Sequence, residues 1–138
     1  MKTLFIIPLV IMSLVSFPSW SADLKKGLTA AENGDFATAL KEWKPLAEKG
    51  DASAQFNIGL MYDDGLGVPQ DYKEAARWYR LAAEQGLASA QHNLALMYED
   101  GLGVPQDFKE AVKWYRLAAK HGLVKAQHNL ALMYHFGD

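Results

Sequence analysis

The chain of 138 residues is the size of one domain, and its formal net charge of −2 excludes the strongly basic surface that is typical of nucleic-acid-binding proteins. Half of the residues are hydrophobic, which is enough apolar material for a packed core and excludes an intrinsically disordered chain. Cysteine is absent, so disulfides, cysteine-ligated zinc, iron–sulfur clusters and thiol nucleophiles are excluded as well.

The first 21 residues have the three-part organisation of a secretory signal peptide. Lys2 gives a positive start, a mainly apolar run follows at 4–15, and Pro18 precedes several small residues. The run is shorter than the roughly 20 apolar residues that a membrane-spanning helix needs. We therefore expect cleavage after Ser21 or Ala22. The mature protein should be periplasmic or secreted, with no stable membrane span after processing.

The rest of the chain repeats itself with a period of 36 residues. Residues 54–89 and 90–125 align without a gap and are identical at 25 of 36 positions. A third, partial copy occupies 126–138, and residues 22–53 read as a degenerate leading hairpin in which Pro45 should bend the second helix. Periods of 20–50 residues indicate stacked supersecondary units. The sequence thus predicts one repeat domain over 22–138.

Each full repeat is predicted to contain two helices joined by a glycine-rich turn. The first helix covers roughly 52–62, the turn contains Gly65, Gly67 and Pro69, and Asp71 with Glu74 forms a capping box for the second helix. The apolar stripe of that second helix consists of Ala75, Trp78, Tyr79 and Ala82, and Gly86 ends it. No window alternates with period two, so we expect an all-α protein, a short α/α solenoid of helical hairpins.

Three motifs carry a family resemblance: A-x-x-x-L-G-x-x-Y near 54–62, G-x-G-V-x-x-D at 65–71 and A-x-x-W-Y-x-x-A-A-x-x-G at 75–86. They resemble the Sel-one-like repeat, a relative of the tetratricopeptide repeat. Gly59 becomes Ala95 and Ala131, a small-for-small change that should keep the helices in close contact. The resemblance implies a tetratricopeptide-like superhelix and adaptor work between proteins, in envelope complex assembly or signalling. Some relatives act on β-lactams, but those carry paired cysteines in each repeat.

Patterns that would carry chemistry have simpler explanations here. Gly65 and Gly67 follow a helix rather than a strand, so they indicate a tight turn instead of a nucleotide loop. His121, His128 and His135 are seven residues apart but lie on two different helices, which argues against a metal site. The carboxylate pairs at 63–64 and 99–100 fall at helix ends and should be solvated. We predict no enzyme, no catalytic residue, no metal and no cofactor.

A binding surface for a protein or peptide is the remaining prediction. Solenoids bind partners on their concave face, which the first helix of each hairpin usually lines. The candidate residues at equivalent positions are Phe56, Asn57, His92, Asn93, His128 and Asn129. We expect Phe56, His92 and His128 to be exposed. The asparagines either hydrogen-bond a peptide backbone or satisfy loop carbonyls between repeats, and the nearby Leu60, Leu96 and Leu132 either grip the partner or belong to the core.

Three functions fit these patterns: an exported adaptor, a secreted effector or virulence factor directed at a host, and, with least support, a β-lactam-acting hydrolase. No nucleic-acid partner is expected. The C-terminal helix lacks the covering second helix, so its apolar residues Leu130, Met133, Tyr134 and Phe136 should be incompletely buried. We expect a partner or a second copy of the chain to cover them. A self-sufficient cap and a truncated gene product are the alternatives.

Overall fold

Residues 17–136 are described by the computed structural model, so the predicted signal sequence up to residue 16 lies outside the described residues. This part of the chain folds into seven α helices and contains no strand. They are α1 (Phe17–Glu32), α2 (Phe36–Glu48), α3 (Ala52–Asp64), α4 (Tyr72–Glu84), α5 (Ala88–Asp100), α6 (Phe108–Lys120) and α7 (Val124–Phe136). Helix α1 begins five residues before Ala22, so the proposed cleavage point falls inside it.

Each helix packs on the helices that precede and follow it in the sequence, as expected for a solenoid of hairpins. The first helices α3 and α5 each lie between two second helices, so they are buried on most sides. The second helices α4 and α6 are amphipathic, with one face in the core and one in solvent. The all-α prediction is confirmed. None of the helices within 17–136 combines the length and hydropathy needed to cross a membrane.

The glycine turns, residues 65–70 and 101–106, each connect the two helices of one hairpin and pack against the preceding hairpin. Gly65 and Gly101 adopt left-handed conformations with φ of 67° and 68°, which favour glycine. Gly103 lies against the start of α4, where an added Cβ would be 2.1 Å from the carbonyl oxygen of Tyr72. Gly67 lies in the same way against Phe36 of α2. Each glycine turn therefore covers the start of the preceding second helix.

The capping box predicted at the start of α4 is only half formed. The Asp71 carboxylate accepts hydrogen bonds from the backbone N–H groups of Lys73 and Glu74, at 3.0 and 3.1 Å. The second hydrogen bond of a capping box would run from the Asp71 N–H to the Glu74 carboxylate. Here the Asp71 N–H donates to the carbonyl oxygen of Tyr62 at 2.9 Å instead, and Glu74 pairs with Arg77. The start of α6 repeats this arrangement. The aspartate caps the helix and also fixes the end of the glycine turn.

Aromatic residues of the second helices fill the space between hairpins. Tyr79 and Tyr115 are fully buried, and Trp78 and Trp114 nearly so, as their equivalent positions in the repeat predict. Trp78 packs with α2 and α3, so it joins its own hairpin to the leading one. In that leading hairpin the Trp43 indole N–H donates to the carbonyl oxygen of Leu24 at 3.2 Å, which attaches α1 to α2.

Candidate protein-binding face

The first helices share one solvent-accessible stripe, which we call the first-helix face. Its positions are spaced i, i+4, i+7 and i+11, so they lie on one side of each helix. In α3 and α5 the sequence along this face is Ser, Asn, Leu, Asp, and every one of these residues is partly or fully exposed. The face consists of Ser53, Asn57, Leu60 and Asp64 in α3, Ser89, Asn93, Leu96 and Asp100 in α5, and Lys125, Asn129, Leu132 and Phe136 in α7.

The asparagines of this face lie beside buried tyrosine hydroxyls. Asn129 Nδ2 donates to the Tyr115 hydroxyl at 3.3 Å, and that hydroxyl donates to Glu99 Oε2 at 2.5 Å. Asn93 lies beside Tyr79 in the same way. The alternative in which the asparagine bonds a loop carbonyl is therefore wrong for Asn129. Its second N–H and its carbonyl oxygen bond no other residue of the described chain, which leaves them for a partner.

The carboxylates beside these tyrosines are structural acceptors. The Tyr79 hydroxyl donates to Asp63 Oδ2 at 2.9 Å, and partial burial raises the pKa of Asp63. Burial also raises the pKa of Tyr79 and Tyr115, so both hydroxyls stay protonated at neutral pH. The prediction that both carboxylate pairs are solvated holds for Asp64 and Asp100, which are exposed, and is wrong for Asp63 and Glu99. Each of these two carboxylates instead accepts a hydrogen bond from a buried tyrosine of its own hairpin.

The backbone carbonyls near the ends of α3 and α5 are bonded by two glutamines that the sequence alone did not single out. Gln70 Nε2 donates to the carbonyl oxygen of Asp63 at 2.7 Å, and Gln106 Nε2 donates to that of Glu99 at 2.8 Å. Both glutamines follow the proline of the glycine turn. Their recurrence at the same offset in both repeats was the available signal.

The predicted exposure of the three residues preceding the asparagines holds only in part. His128 is exposed and Phe56 is half-buried, with its ring 5.7 Å from that of Tyr79. The prediction is wrong for His92, which is 8% exposed. Its ring lies 5.5 Å from that of Tyr115 in α6, and burial lowers its pKa. His92 is therefore too buried to contact a partner on the first-helix face.

Leu60, Leu96 and Leu132 were predicted either to contact the partner or to belong to the core, and each alternative holds in part. Leu60 and Leu96 are half-buried and pack against the core, while Leu132 is more exposed. One edge of each side chain remains accessible beside the asparagine one turn earlier. The structure therefore brings Asn57, Leu60, Asn93 and Leu96 together on one face.

A groove of about 900 Å³ lies between α6 and α7. Its apolar lining consists of Phe108, Val112, Leu132, Met133, Tyr134 and Phe136. Three cations and one carboxylate also line it: Lys109, Lys113, Arg116 and Glu99, the last of which accepts a hydrogen bond from the Tyr115 hydroxyl. Phe136 is 76% exposed and Tyr134 54%, so the expected incomplete burial of α7 is confirmed.

Metal ligation finds no support in the described residues. Within 17–136, no three histidine or carboxylate side chains lie close enough together to hold an ion. The polar groups of the first-helix face are amides, hydroxyls and carboxylates. Such groups can exchange hydrogen bonds with a polypeptide.

Comparison with known proteins identifies the repeat. The model of the Sel1 repeat matches residues 52–87, 88–123 and 124–138, which is more than half of the chain. The chain belongs to the Sel1 repeat family. The matched units begin where α3, α5 and α7 begin, with the period of 36 residues found in the sequence. Sel1 repeat scaffolds typically bind proteins and are usually non-catalytic, although some are β-lactamases.

Solved structures of Sel1 repeat proteins are similar over most of this chain. A Sel1 repeat protein from Oxalobacter formigenes is 37% identical, with a TM-score of 0.77 over 80% of this chain and 45% of that one. A protective antigen of uropathogenic Escherichia coli strains, which displays an SLR fold, is 39% identical, with a TM-score of 0.82 over 86% of this chain and 26% of that one. This chain therefore spans less than half the length of either protein. A search of the curated proteins found no significant match.

Proposed function

We propose that this protein is an exported, non-catalytic Sel1 repeat scaffold that binds a protein partner through the first-helix face. The observation that carries the proposal is the recurrence of an accessible asparagine and an accessible leucine edge at the same positions of consecutive first helices. Parallel rows of amides and apolar edges suit an extended peptide. The amides would bond its backbone, and the leucines would contact its side chains.

The second helices supply the rigidity that such a face needs. The Tyr115 hydroxyl accepts a hydrogen bond from Asn129 and donates one to Glu99, so this asparagine is oriented before a partner binds. Gln127 Nε2 donates to the carbonyl oxygen of Ala119 at 3.3 Å and fixes the same helix to α6. Side chains that are already ordered lose less entropy on binding, which favours affinity.

The test is site-specific photocrosslinking in cells. A photoreactive residue at Asn57 or at Leu96 should capture a partner of the same mass from both positions. The same residue at Lys73 or at Leu81, exposed on the outer side of α4, is the matched control and should capture none. Adducts that form equally well from α4, or adducts of unrelated mass at the two test positions, would contradict the proposal.

Export is the second part of the proposal, and it rests on the sequence before Ala22. N-terminal sequencing of protein recovered from the periplasm or the culture medium should begin at Ala22 or Asp23. A recovered protein that still begins at Met1 would overturn this part and leave the binding face unaffected.

A secreted effector directed at a host is the second candidate. The observation that favours it is the similarity to a protective antigen of uropathogenic Escherichia coli strains. Fractionation separates the two functions, since an envelope adaptor should stay in the periplasm and an effector should accumulate in the medium. Hydrolysis of a chromogenic β-lactam should not exceed the buffer rate. A measurable rate would refute the non-catalytic assignment.

A further inference from the structure

Helices α5 and α7 share nine consecutive residues, so their exposures can be compared side chain by side chain. The shared sequence occupies 90–98 in α5 and 126–134 in α7. Seven of its members are buried in α5, and four of these differ most from α7: Gln91, His92, Ala95 and Tyr98. Their counterparts in α7 are exposed: Gln127, His128, Ala131 and Tyr134. The difference maps a surface on α7 that no described residue covers.

The occupant of the same surface on α5 is a helix. The Tyr115 ring of α6 lies against His92, and its hydroxyl bonds Glu99. Helix α6 has 13 residues, as α5 does, and meets it with small and aromatic side chains along one stripe. The uncovered surface of α7 therefore has the size and shape that receives an amphipathic helix of three to four turns.

The charges of α7 differ from those of α3 and α5 at the positions that would meet such a helix. Asp63 and Glu99 each accept a tyrosine hydroxyl from the following second helix, whereas the equivalent residue of α7 is His135. At the next position Asp64 and Asp100 are replaced by Phe136. A second helix of the usual repeat type would find no carboxylate acceptor here. We therefore expect the occupant of α7 to present a different polar group from the tyrosine hydroxyl of α4 and α6 at this position.

Positive charge surrounds this surface and continues into the groove between α6 and α7. Residues 108–136 contain five lysines and arginines and one acidic residue, Glu110. Residues 52–107, by contrast, contain three basic and eight acidic residues. Phe108 at the groove is 55% exposed, while its counterpart Tyr72 is covered by the glycine turn at 101–106. The groove has an apolar floor and three cations, and its one carboxylate, Glu99, is bonded to Tyr115. Such a surface is complementary to an apolar stripe flanked by carboxylates.

We propose that the exposed face of α7 and the adjoining groove bind an amphipathic helix of a partner protein whose apolar stripe is flanked by acidic residues. This surface adjoins the first-helix face and shares Leu132 and Phe136 with it, but it does not include the asparagines and leucines of α3 and α5 on which the proposed function is tested. A second copy of the chain fits less well, because symmetric pairing of two α7 helices would bring like charges together.

The test uses two labelled synthetic peptides of 18 residues and the purified protein. Both peptides carry leucine and alanine on one helical face; one has glutamate on both flanks, and the other has lysine at the same positions. Fluorescence anisotropy should show binding of the glutamate peptide, weakened by added salt. The lysine peptide should bind at least about tenfold more weakly.

The decisive variant is His135→Glu with Phe136→Asp, which gives α7 the residues that α5 carries at these positions. Folding should be kept, because the same pair stands in α5, and circular dichroism checks it. The variant should bind the glutamate peptide about tenfold more weakly than the wild type. Lys49→Glu, which makes a charge change of the same size on the leading hairpin, is the control and should bind normally. Lys125→Ser, exposed on α7, is a second variant and should weaken binding to a smaller extent.

Each alternative occupant gives a different result. Equal binding of both peptides, or undiminished binding by the double variant, would overturn the charge argument and the proposal with it. Sedimentation velocity of the wild type alone should show a monomer at tens of micromolar. A dimer that the double variant abolishes would show that a second copy occupies the surface and would refute the proposal. Neither result bears on crosslinking at Asn57 or Leu96.

Discussion

The two complete hairpins, α3–α4 and α5–α6, have nearly the same sequence but differ in how their buried polar groups are satisfied. In both, a buried glutamine attaches the first helix to the preceding hairpin: Gln55 Nε2 donates to Ala47 O, and Gln91 Nε2 donates to Ala83 O. Gln55 Oε1 also accepts a hydrogen bond from Gln85 Nε2 at 2.8 Å. Gln91 Oε1 is buried with no partner in the described residues, because His121 stands where Gln85 would.

Two more differences also leave the α5–α6 hairpin with fewer of its polar groups satisfied. Helix α3 begins at Asp51, whose carboxylate accepts from the Ala54 N–H at 2.7 Å, whereas α5 begins after Leu87 and has no side-chain cap among the described residues. Within 17–136, the buried Nδ1 of His92 and Nε1 of Trp114 also have no partner. Each such group costs about 1–3 kcal/mol of stability. Near-identity of the repeats therefore does not imply equal stability, and we expect the α5–α6 hairpin to be the less stable one.

The largest expected effect comes from removing the tryptophan of either hairpin. Trp78→Ala should lower the free energy of unfolding by about 3–5 kcal/mol, since it leaves a cavity where α4 packs against the leading hairpin. Trp114→Ala should cost less, because it also removes a buried N–H that has no partner in the described part of the chain. Urea unfolding followed by circular dichroism measures both. A cost for Trp114→Ala equal to or above that for Trp78→Ala would show that the two hairpins are equally well satisfied.

Gly59→Ala tests the spacing between the two helices of the α3–α4 hairpin. A Cβ at Gly59 would lie 2.5 Å from Cδ1 of Tyr79, so the ring or the helix must move, at a cost of about 1–3 kcal/mol. The α5–α6 hairpin already has Ala95 at this position, fully buried. The small-for-small expectation therefore holds for the helix contact itself, and the variant tests whether α3 and α4 have adjusted to glycine.

Ala95→Gly is the matched variant in the other hairpin. It should cost about 1 kcal/mol through helix propensity alone. If Gly59→Ala is neutral or stabilising in urea unfolding, the two hairpins have the same interhelical spacing and this part of the comparison fails.

Much of this fold could be predicted from the sequence because the repeat supplies each signal twice. The turn at Gly65, the cap at Asp71 and the buried Trp78 all depend on local backbone preference or on side-chain size. The burial of His92 could not be predicted in that way. It depends on what the following helices place over it, which the residue's own hairpin does not specify.

His92→Phe copies Phe56 of the preceding hairpin and tests that burial. It removes a ring nitrogen with no partner in the described residues, so the free energy of unfolding should rise by about 1–2 kcal/mol at neutral pH. Burial lowers the pKa of His92 below its usual value, so the unfolded chain binds more protons as the pH falls below about 6.5. Wild-type stability should therefore decline below that pH, and part of the decline should vanish in the variant.

Thermal unfolding at pH 7.5 and pH 5.0 measures the effect of His92→Phe. His128→Phe, the same substitution at the exposed equivalent position of α7, is the control for the change of side chain. A decline toward low pH that persists in full in His92→Phe would assign it to other groups and would show His92 to be accessible to solvent.

The smallest expected effect tests the origin of the difference between the hairpins. His121→Gln places at the end of α6 the residue that Gln85 supplies at the end of α4, so its amide should donate to Gln91 Oε1. The gain should be about 1 kcal/mol, the usual net value of one hydrogen bond, and Gln85→His should lose a similar amount. Combined with Gln91→Leu, which removes the acceptor, His121→Gln should give no gain. A gain that survives in this combination would come from helix propensity at the end of α6 and not from the missing hydrogen bond.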